Sequence, residues 1–253
     1  MTALTSAIGL TPTIFALAAF MTFGAAAIRG LTGFGMAIIL VPLLGMIMRP
    51  DEAVVLAIFL QLLIGPVGLK TITADSHRQS ALLIGGIAFG TTPLGVWALA
   101  NTAPDVARLI IAFIAIGAFL LILVTRKAVA QPGPLTTLAT GFVSGILTGF
   151  AAMPGPPVVP YYLREAFAPR TARASMMLVF FMTAIAGTIS TVLIGLGSMR
   201  MAVLALMLFV PMLIGNWLGG LAFGQIKPAL WRTMVGALLG IAGVSAVWRL
   251  VAL

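Results

Sequence analysis

The chain has 253 residues, of which 61% are hydrophobic and 8% charged, and a formal net charge of +9. Soluble domains carry about 45–50% apolar and ~25% charged residues, so an ordinary soluble domain is excluded. With no cysteine and a single histidine, His77, the chain cannot build disulfides, thiolate metal sites or a haem or zinc centre, and no cofactor or metal is expected.

Ten apolar segments follow one another at roughly 10–32, 35–48, 52–70, 80–100, 105–125, 135–152, 156–166, 172–196, 201–223 and 229–250. The long ones approach the ~20 residues that a helix needs to cross a bilayer. They leave no room for a separate extramembranous domain. The expected fold class is all-α, a polytopic helical membrane protein whose function lies inside the bilayer. Breakers mark the connections: Arg49–Pro50–Asp51, the polar run from Ala74 to Gln79, Pro104–Asp105, Gln131–Pro132–Gly133–Pro134 and Lys227–Pro228. Lys and Arg are missing before Arg29, so no basic region precedes the first segment and no cleaved signal is expected. The second and seventh segments are short. Each follows a break, Gly33–Phe34–Gly35 in one case and Pro154–Gly155–Pro156–Pro157 in the other.

The two halves repeat one another. Leu31–Thr32–Gly33–Phe34 recurs as Leu147–Thr148–Gly149–Phe150, and Val41–Pro42 recurs as Val159–Pro160 with two extra residues between the landmarks. Gly95 and Trp97 recur as Gly215 and Trp217, and Pro104 with Arg108 recurs as Pro228 with Arg232. The halves, 1–130 and 131–253, are expected to be two repeats within one integral membrane domain. Each holds five segments, or three crossings if the broken pair dips in and returns. Both numbers are odd, so the second repeat must be inverted. With the N-terminus outside, Arg29, Lys70, Arg78, Arg126, Lys127, Arg164, Arg170, Arg173, Lys227 and Arg232 fall inside, against Arg49, Arg108, Arg200 and Arg249 outside. That distribution satisfies the positive-inside rule and places both termini outside. The dispersal of the cations beside apolar segments fits topology and membrane lipid headgroups, and not nucleic acid.

Backbone that leaves helical geometry at membrane depth must be buried in protein or line a wet cavity. Inverted halves with interrupted helices are used by many secondary transporters, with the substrate site where the breaks meet. The helix N-termini near Gly35 and Pro157 carry partial positive charge and unpaired N–H groups, which suits a small anion. The competing reading is that the breaks are kinks and tight helix contacts. Pro156 and Pro157 have no N–H, which leaves Gly155 and Val158 as donors at the second break. The residues expected to meet substrate are Arg29, Thr32, Gly33, Phe34, Gly35, Gln61, Thr148, Gly149, Pro154, Gly155, Pro156, Pro157, Tyr161 and Asn216. Several have a structural alternative. Thr32 and Thr148 could bond their own preceding carbonyls, Arg29 could snorkel to headgroups, and Gln61 and Asn216 could join helices. Gly141, Gly145 and Gly149, at four-residue spacing, fit close helix packing. Trp97 and Trp217 read as interfacial anchors, or as an aromatic wall at Trp217.

Asp51, Glu52, Asp75, Asp105 and Glu165 all fall at segment ends, so a carboxylate relay for protons or sodium is not expected in mid-span. An outward-moving anion needs none, since an inside-negative potential contributes about 2.3 kcal/mol per charge per 100 mV. The residues thus favour potential-driven anion efflux by alternating access. An anion channel is the first alternative. An intramembrane phosphatase is the second, although neither break has the His, Cys, Asp or Glu that such chemistry needs; an enzyme is not expected.

The stretch from Arg29 to Leu44, RGLTGFGMAIILVPLL, resembles the first signature of the sulfite exporter TauE/SafE family of membrane transporters. The stretch from Gly145 to Val159, GILTGFAAMPGPPVV, with Tyr161 after it, resembles the second. The resemblance spans both halves. It implies transport of small organosulfonate or sulfite-like anions, in some members other small organic anions, across the bacterial cytoplasmic (inner) membrane. Many members have a glycine cluster at the second break, where this chain has Met153–Pro154–Gly155–Pro156–Pro157, a departure that bears on substrate identity.

Overall fold

A computed structural model describes residues 9–124, 133–164 and 167–221 of the chain. Among these, ten helices and no strands are present: α1 (Pro12–Thr32), α2 (Met36–Leu44), α3 (Pro50–Ile64), α4 (Leu69–Asp75), α5 (Arg78–Ala100), α6 (Pro104–Val124), α7 (Pro134–Ala151), α8 (Gly155–Arg164), α9 (Pro169–Leu193) and α10 (Met199–Leu221). The expected segment at 229–250, with Glu165 and five of the basic positions used for topology (126, 127, 227, 232 and 249), lies outside the described residues.

Proline starts half of these helices, at Pro12, Pro50, Pro104, Pro134 and Pro169. Its fixed φ suits the first helical position, where a missing N–H costs nothing. Ahead of α1 the Thr11 hydroxyl accepts from the Ile14 amide at 3.3 Å, completing the cap. Among the described residues, five helices (α1, α5, α7, α9 and α10) are long and apolar enough to cross a membrane, and the bent pair α3–α4 would make a sixth. Large apolar side chains on their outer faces, among them Phe20, Leu193, Trp97 and Trp217, are exposed, as lipid contact requires and water would penalise. The chain is an integral membrane protein.

The segment expected as one span over 52–70 is divided. It turns by 83° between α3 and α4 at Gly65–Pro66–Val67–Gly68, where Pro66 offers no N–H and Gly68 takes φ +76. The apolar character of the run continues through the turn, so hydropathy alone does not reveal it.

The most extensive helix pairings are α5 with α7 and α1 with α10, each joining one half of the sequence to the other. Glycine permits both. A Cβ on Gly30 would collide with the Asn216 carbonyl oxygen, and Cβ atoms on Gly215 and Gly219 would collide with the Phe23 and Ala27 carbonyls. On the other pair, Gly141, Gly145 and Gly149 face Ile84, Ala88 and Thr92, and Gly95 faces the Ile146 carbonyl. These are backbone-to-backbone contacts of the kind that drives helix association without a hydrophobic force between helices. Gly149→Leu is expected to cost at least ~3 kcal/mol, the upper range for overpacking, because backbone rather than a flexible side chain blocks the new atoms. A collapse of the folded fraction in thermal unfolding of the detergent-purified variant would show it.

Ion pairs and hydrogen bonds establish which helix ends lie together. At one end Arg200 at the start of α10 meets Glu52 in the first turn of α3 at 3.0 Å, Arg49 meets Asp51, and Arg108 in α6 donates to the Gly45 carbonyl after α2. At the other end Arg170 at the start of α9 meets Asp75 at 2.7 Å, and Arg78 donates to the Thr73 carbonyl. Tyr161 and Tyr162 of α8 reach Thr137 in the first turn of α7 and Ser80 in the first turn of α5. Helix α8 therefore returns to the end at which α7 begins. Helix α2 likewise returns to the end shared by the starts of α3, α6 and α10. The pairs α1–α2 and α7–α8 are thus hairpins that dip from opposite ends and turn at the two breaks.

Candidate functional site

Each hairpin turns on a left-handed residue. Helix α1 closes at Gly33, φ +83, whose N–H bonds the Arg29 carbonyl at 2.7 Å. The Thr32 hydroxyl lies 2.7 Å from the Phe34 carbonyl and accepts from the Phe34 amide at 3.2 Å, which pins the first break. Gly35, φ +90, then caps α2. Helix α7 runs one turn past the Thr148 that matches Thr32. It closes at Ala152, φ +58, with the Ala152 and Met153 amides bonding the Thr148 and Leu147 carbonyls. That added turn lies between the same landmarks where the second stretch, Leu147 to Val159, is two residues longer than Leu31 to Val41. Ser144 donates to the Pro154 carbonyl at 3.1 Å and fixes the second break.

The two breaks meet. Between them lies a small open cavity lined by Arg29, Phe34, Gly35, Met36, Ala37, Ile38, Gln61, Met153, Pro154, Gly155 and Phe180. Met36, Ala37 and Ile38 form the first turn of α2, where backbone N–H groups have no helical carbonyl to bond and the helix dipole is positive. Gln61 of α3 donates to the Ala152 carbonyl at 3.0 Å and so ties the first half of the chain to the second break.

Among the described residues Arg29 is the one charged residue on the cavity wall, and it is only 7% exposed. Its Nη1 donates to Asn216 Oδ1 of α10 at 2.7 Å. No described carboxylate approaches it, because Asp51, Glu52, Asp75 and Asp105 are each paired with another arginine at a helix end. A few ångströms along α1, Arg173 of α9 donates to the Gly30 carbonyl at 2.7 Å, which adds a second cation at this end of the helix. The neutral amide satisfies one guanidinium N–H without supplying a counter-charge. The arrangement is a cationic pocket with backbone donors beside it, suited to a small anion.

Of the residues singled out from the sequence, Arg29, Phe34, Gly35, Gln61, Pro154 and Gly155 line this cavity. Asn216 stands behind Arg29 as its partner. The others lie off the wall. Thr148 back-bonds the Ser144 carbonyl at 2.7 Å and Thr32 the Ile28 carbonyl at 2.8 Å, so both hydroxyls are engaged with backbone. Gly33 packs on the Arg173 stem, Gly149 packs on α5, and Tyr161 points to α7. Pro156 and Pro157 begin α8 without lining the cavity. Trp97 and Trp217 are 62% and 63% exposed, so neither forms a wall here. Met36, Ala37, Ile38, Met153 and Phe180 complete the lining and were not singled out. The first four adjoin the breaks and follow from them; Phe180, mid-helix in α9, carries no local signal.

A polytopic helical membrane protein with a cationic cavity between two broken hairpins has the architecture of a transporter. The family model for Sulfite exporter TauE/SafE matches residues 17–246, and the chain belongs to this family of membrane transporters of small anions. Comparison with curated proteins and with solved structures finds no match.

Proposed function

We propose that the protein exports a small organosulfonate or sulfite-like anion across the bacterial cytoplasmic membrane by alternating access, with both termini outside. The observation that carries the reading is Arg29, buried on the cavity wall with a neutral partner and no described carboxylate. Such a charge in a membrane interior costs several kcal/mol and is retained where an anion uses it. The cross-half helix pairs and the hairpins dipping from opposite ends support two inverted repeats, which supply the two related conformations that alternating access requires. The pairing of every described carboxylate at a helix end supports transport without a coupling cation.

Proteoliposomes test this directly. With ethanesulfonate as probe, flux should saturate with concentration, and a 100 mV potential negative on the loaded side should sustain a gradient of about fiftyfold, the ratio equivalent to ~2.3 kcal/mol. Flux that rises without saturation at channel-like rates would show a pore instead. Strict dependence on a sodium or proton gradient at clamped potential would overturn the potential-driven step.

A further inference from the structure

We infer that the ion pairs Glu52–Arg200 and Asp75–Arg170 are latches at opposite ends of the protein, one released in each of the two open conformations of the transport cycle. The inference rests on the alternating-access reading above. Each pair joins the two halves of the chain, with the acid in the first half and the arginine in the second. Arg200 Nη1 donates to Glu52 Oε1 at 3.0 Å, and Arg170 Nε donates to Asp75 Oδ2 at 2.7 Å. Arg49, close to Glu52 in sequence, is held by Asp51 instead.

Helix stability does not explain where these charges stand. Arg170 and Arg200 lie in the first turns of α9 and α10, at the positive ends of the helix dipoles, and Asp75 is the last residue of α4, at the negative end. Three of the four charges therefore oppose their own helix and are matched by a charge on the other half. With both termini outside, Arg200 also stands on the side where the positive-inside distribution is poor in cations, so topology gives no reason for it either.

One bent element carries both acids. Glu52 is in the first turn of α3, Asp75 ends α4, and the 83° elbow lies between them. The middle of this element is fixed to the second half. A Cβ on Gly65 would collide with the Phe181 ring of α9, and Gln61 donates to the Ala152 carbonyl at 3.0 Å. The element thus meets the other half at three levels, a central one made by close packing and two outer ones made by ion pairs. Tilting the halves about the central contact lengthens one pair and leaves the other closed. Exposed ion pairs suit the outer levels, because water replaces the lost partner at little cost. Close-packed side chains at the elbow have no such substitute and act as the fulcrum. Both pairs are formed in this conformation, which stands between the two open ones.

The test uses the absence of cysteine from the chain, which makes any introduced thiol the only one. Leu204→Cys and Ala174→Cys each stand one turn beyond a latch arginine on its own helix face, at positions 0% and 6% exposed. In the purified full chain, the rate of modification by a water-soluble maleimide reports opening at each end without any ligand. Glu52→Gln should raise the rate at the Leu204→Cys reporter by up to about fivefold, the most that an exposed pair allows, and lower it at the Ala174→Cys reporter. Asp75→Asn should do the reverse. The exchanged pair, Glu52→Arg with Arg200→Glu, should return both rates to those of the parent reporters. Arg200→Gln and Arg170→Gln break the same pairs from the other side and decide the matter if an acid variant does not fold. Rates that rise together at both reporters would show general loosening and overturn the latches, as would rates that do not change or an exchanged pair that restores neither. Such a result beside saturable ethanesulfonate flux would leave the transport reading standing, whereas non-saturating flux in the parent protein would overturn that reading itself.

Discussion

Arg29→Met is expected to lose anion binding by at least about a hundredfold and to reduce transport to background, while the protein stays folded. The magnitude follows from removing one partner of a buried charge pair, ~3–5 kcal/mol. Without ligand the change acts in two directions. Methionine removes the desolvation cost of a side chain that is 7% exposed, and it leaves Asn216 Oδ1 without its donor, which costs ~1–3 kcal/mol. Ligand-free stability should therefore change little, whereas the increase in stability on adding ethanesulfonate should vanish. Arg29→Lys separates charge from shape. The ammonium keeps the charge but not the planar fork that reaches Asn216 and an anion together, so weak binding should survive. Thermal unfolding with and without the anion, followed by tracer flux, measures both effects. Retention of the full anion response in Arg29→Met would place the anion elsewhere.

Much of the fold is legible because its causes are local. Helix starts coincide with proline and hairpin turns with the glycine and proline breaks, since missing N–H groups and positive φ act within a few residues. An unbroken hydropathy profile hides the turn at Gly65–Pro66–Val67–Gly68, although its residues carry the same signal as the other two breaks. The pairing of α1 with α10 and α5 with α7 has a different kind of cause. Glycine spacing shows that some helix will come close but does not name the partner; Gly30 meets Asn216, 186 residues away by subtraction, only after the chain has folded.

The site divides along the same line. Residues at the breaks reach the cavity because backbone direction changes there, which is why Phe34, Gly35, Pro154 and Gly155 line it. Residues a turn away from a break do not. Thr32 and Thr148 satisfy their hydroxyls on carbonyls four residues back, at no cost in chain distance, before any ligand competes. Tyr161 and Tyr162 follow the second break, but the return of α8 carries their phenols to Thr137 and Ser80 near the opposite end of that hairpin. Phe180 and Met153 are apolar residues in apolar sequence, indistinguishable from core until the breaks are brought together.

Asn216→Asp tests whether the neutrality of the Arg29 partner is what keeps the site open to an anion. The substitution is nearly isosteric, and the introduced carboxylate would stand where Oδ1 now accepts from Arg29 Nη1 at 2.7 Å. It would neutralise the guanidinium from within. Ligand-free protein should become more stable, because a buried charge gains a hydrogen-bonded counterion. Anion binding should fall by about a hundredfold, close to the Arg29→Met result, because an incoming anion must now displace or repel a fixed negative charge. Asn216→Leu removes the hydrogen bond without adding charge and should weaken binding only about tenfold, the ~1.5 kcal/mol typical of one bond to a charged group. A purely steric role for Asn216 would reverse the order, since leucine changes the shape beside Gly30 and aspartate hardly does. Measuring ligand-free unfolding and ethanesulfonate affinity in the two variants separates these cases, and wild-type affinity in Asn216→Asp would mean that the anion does not rely on the charge of Arg29.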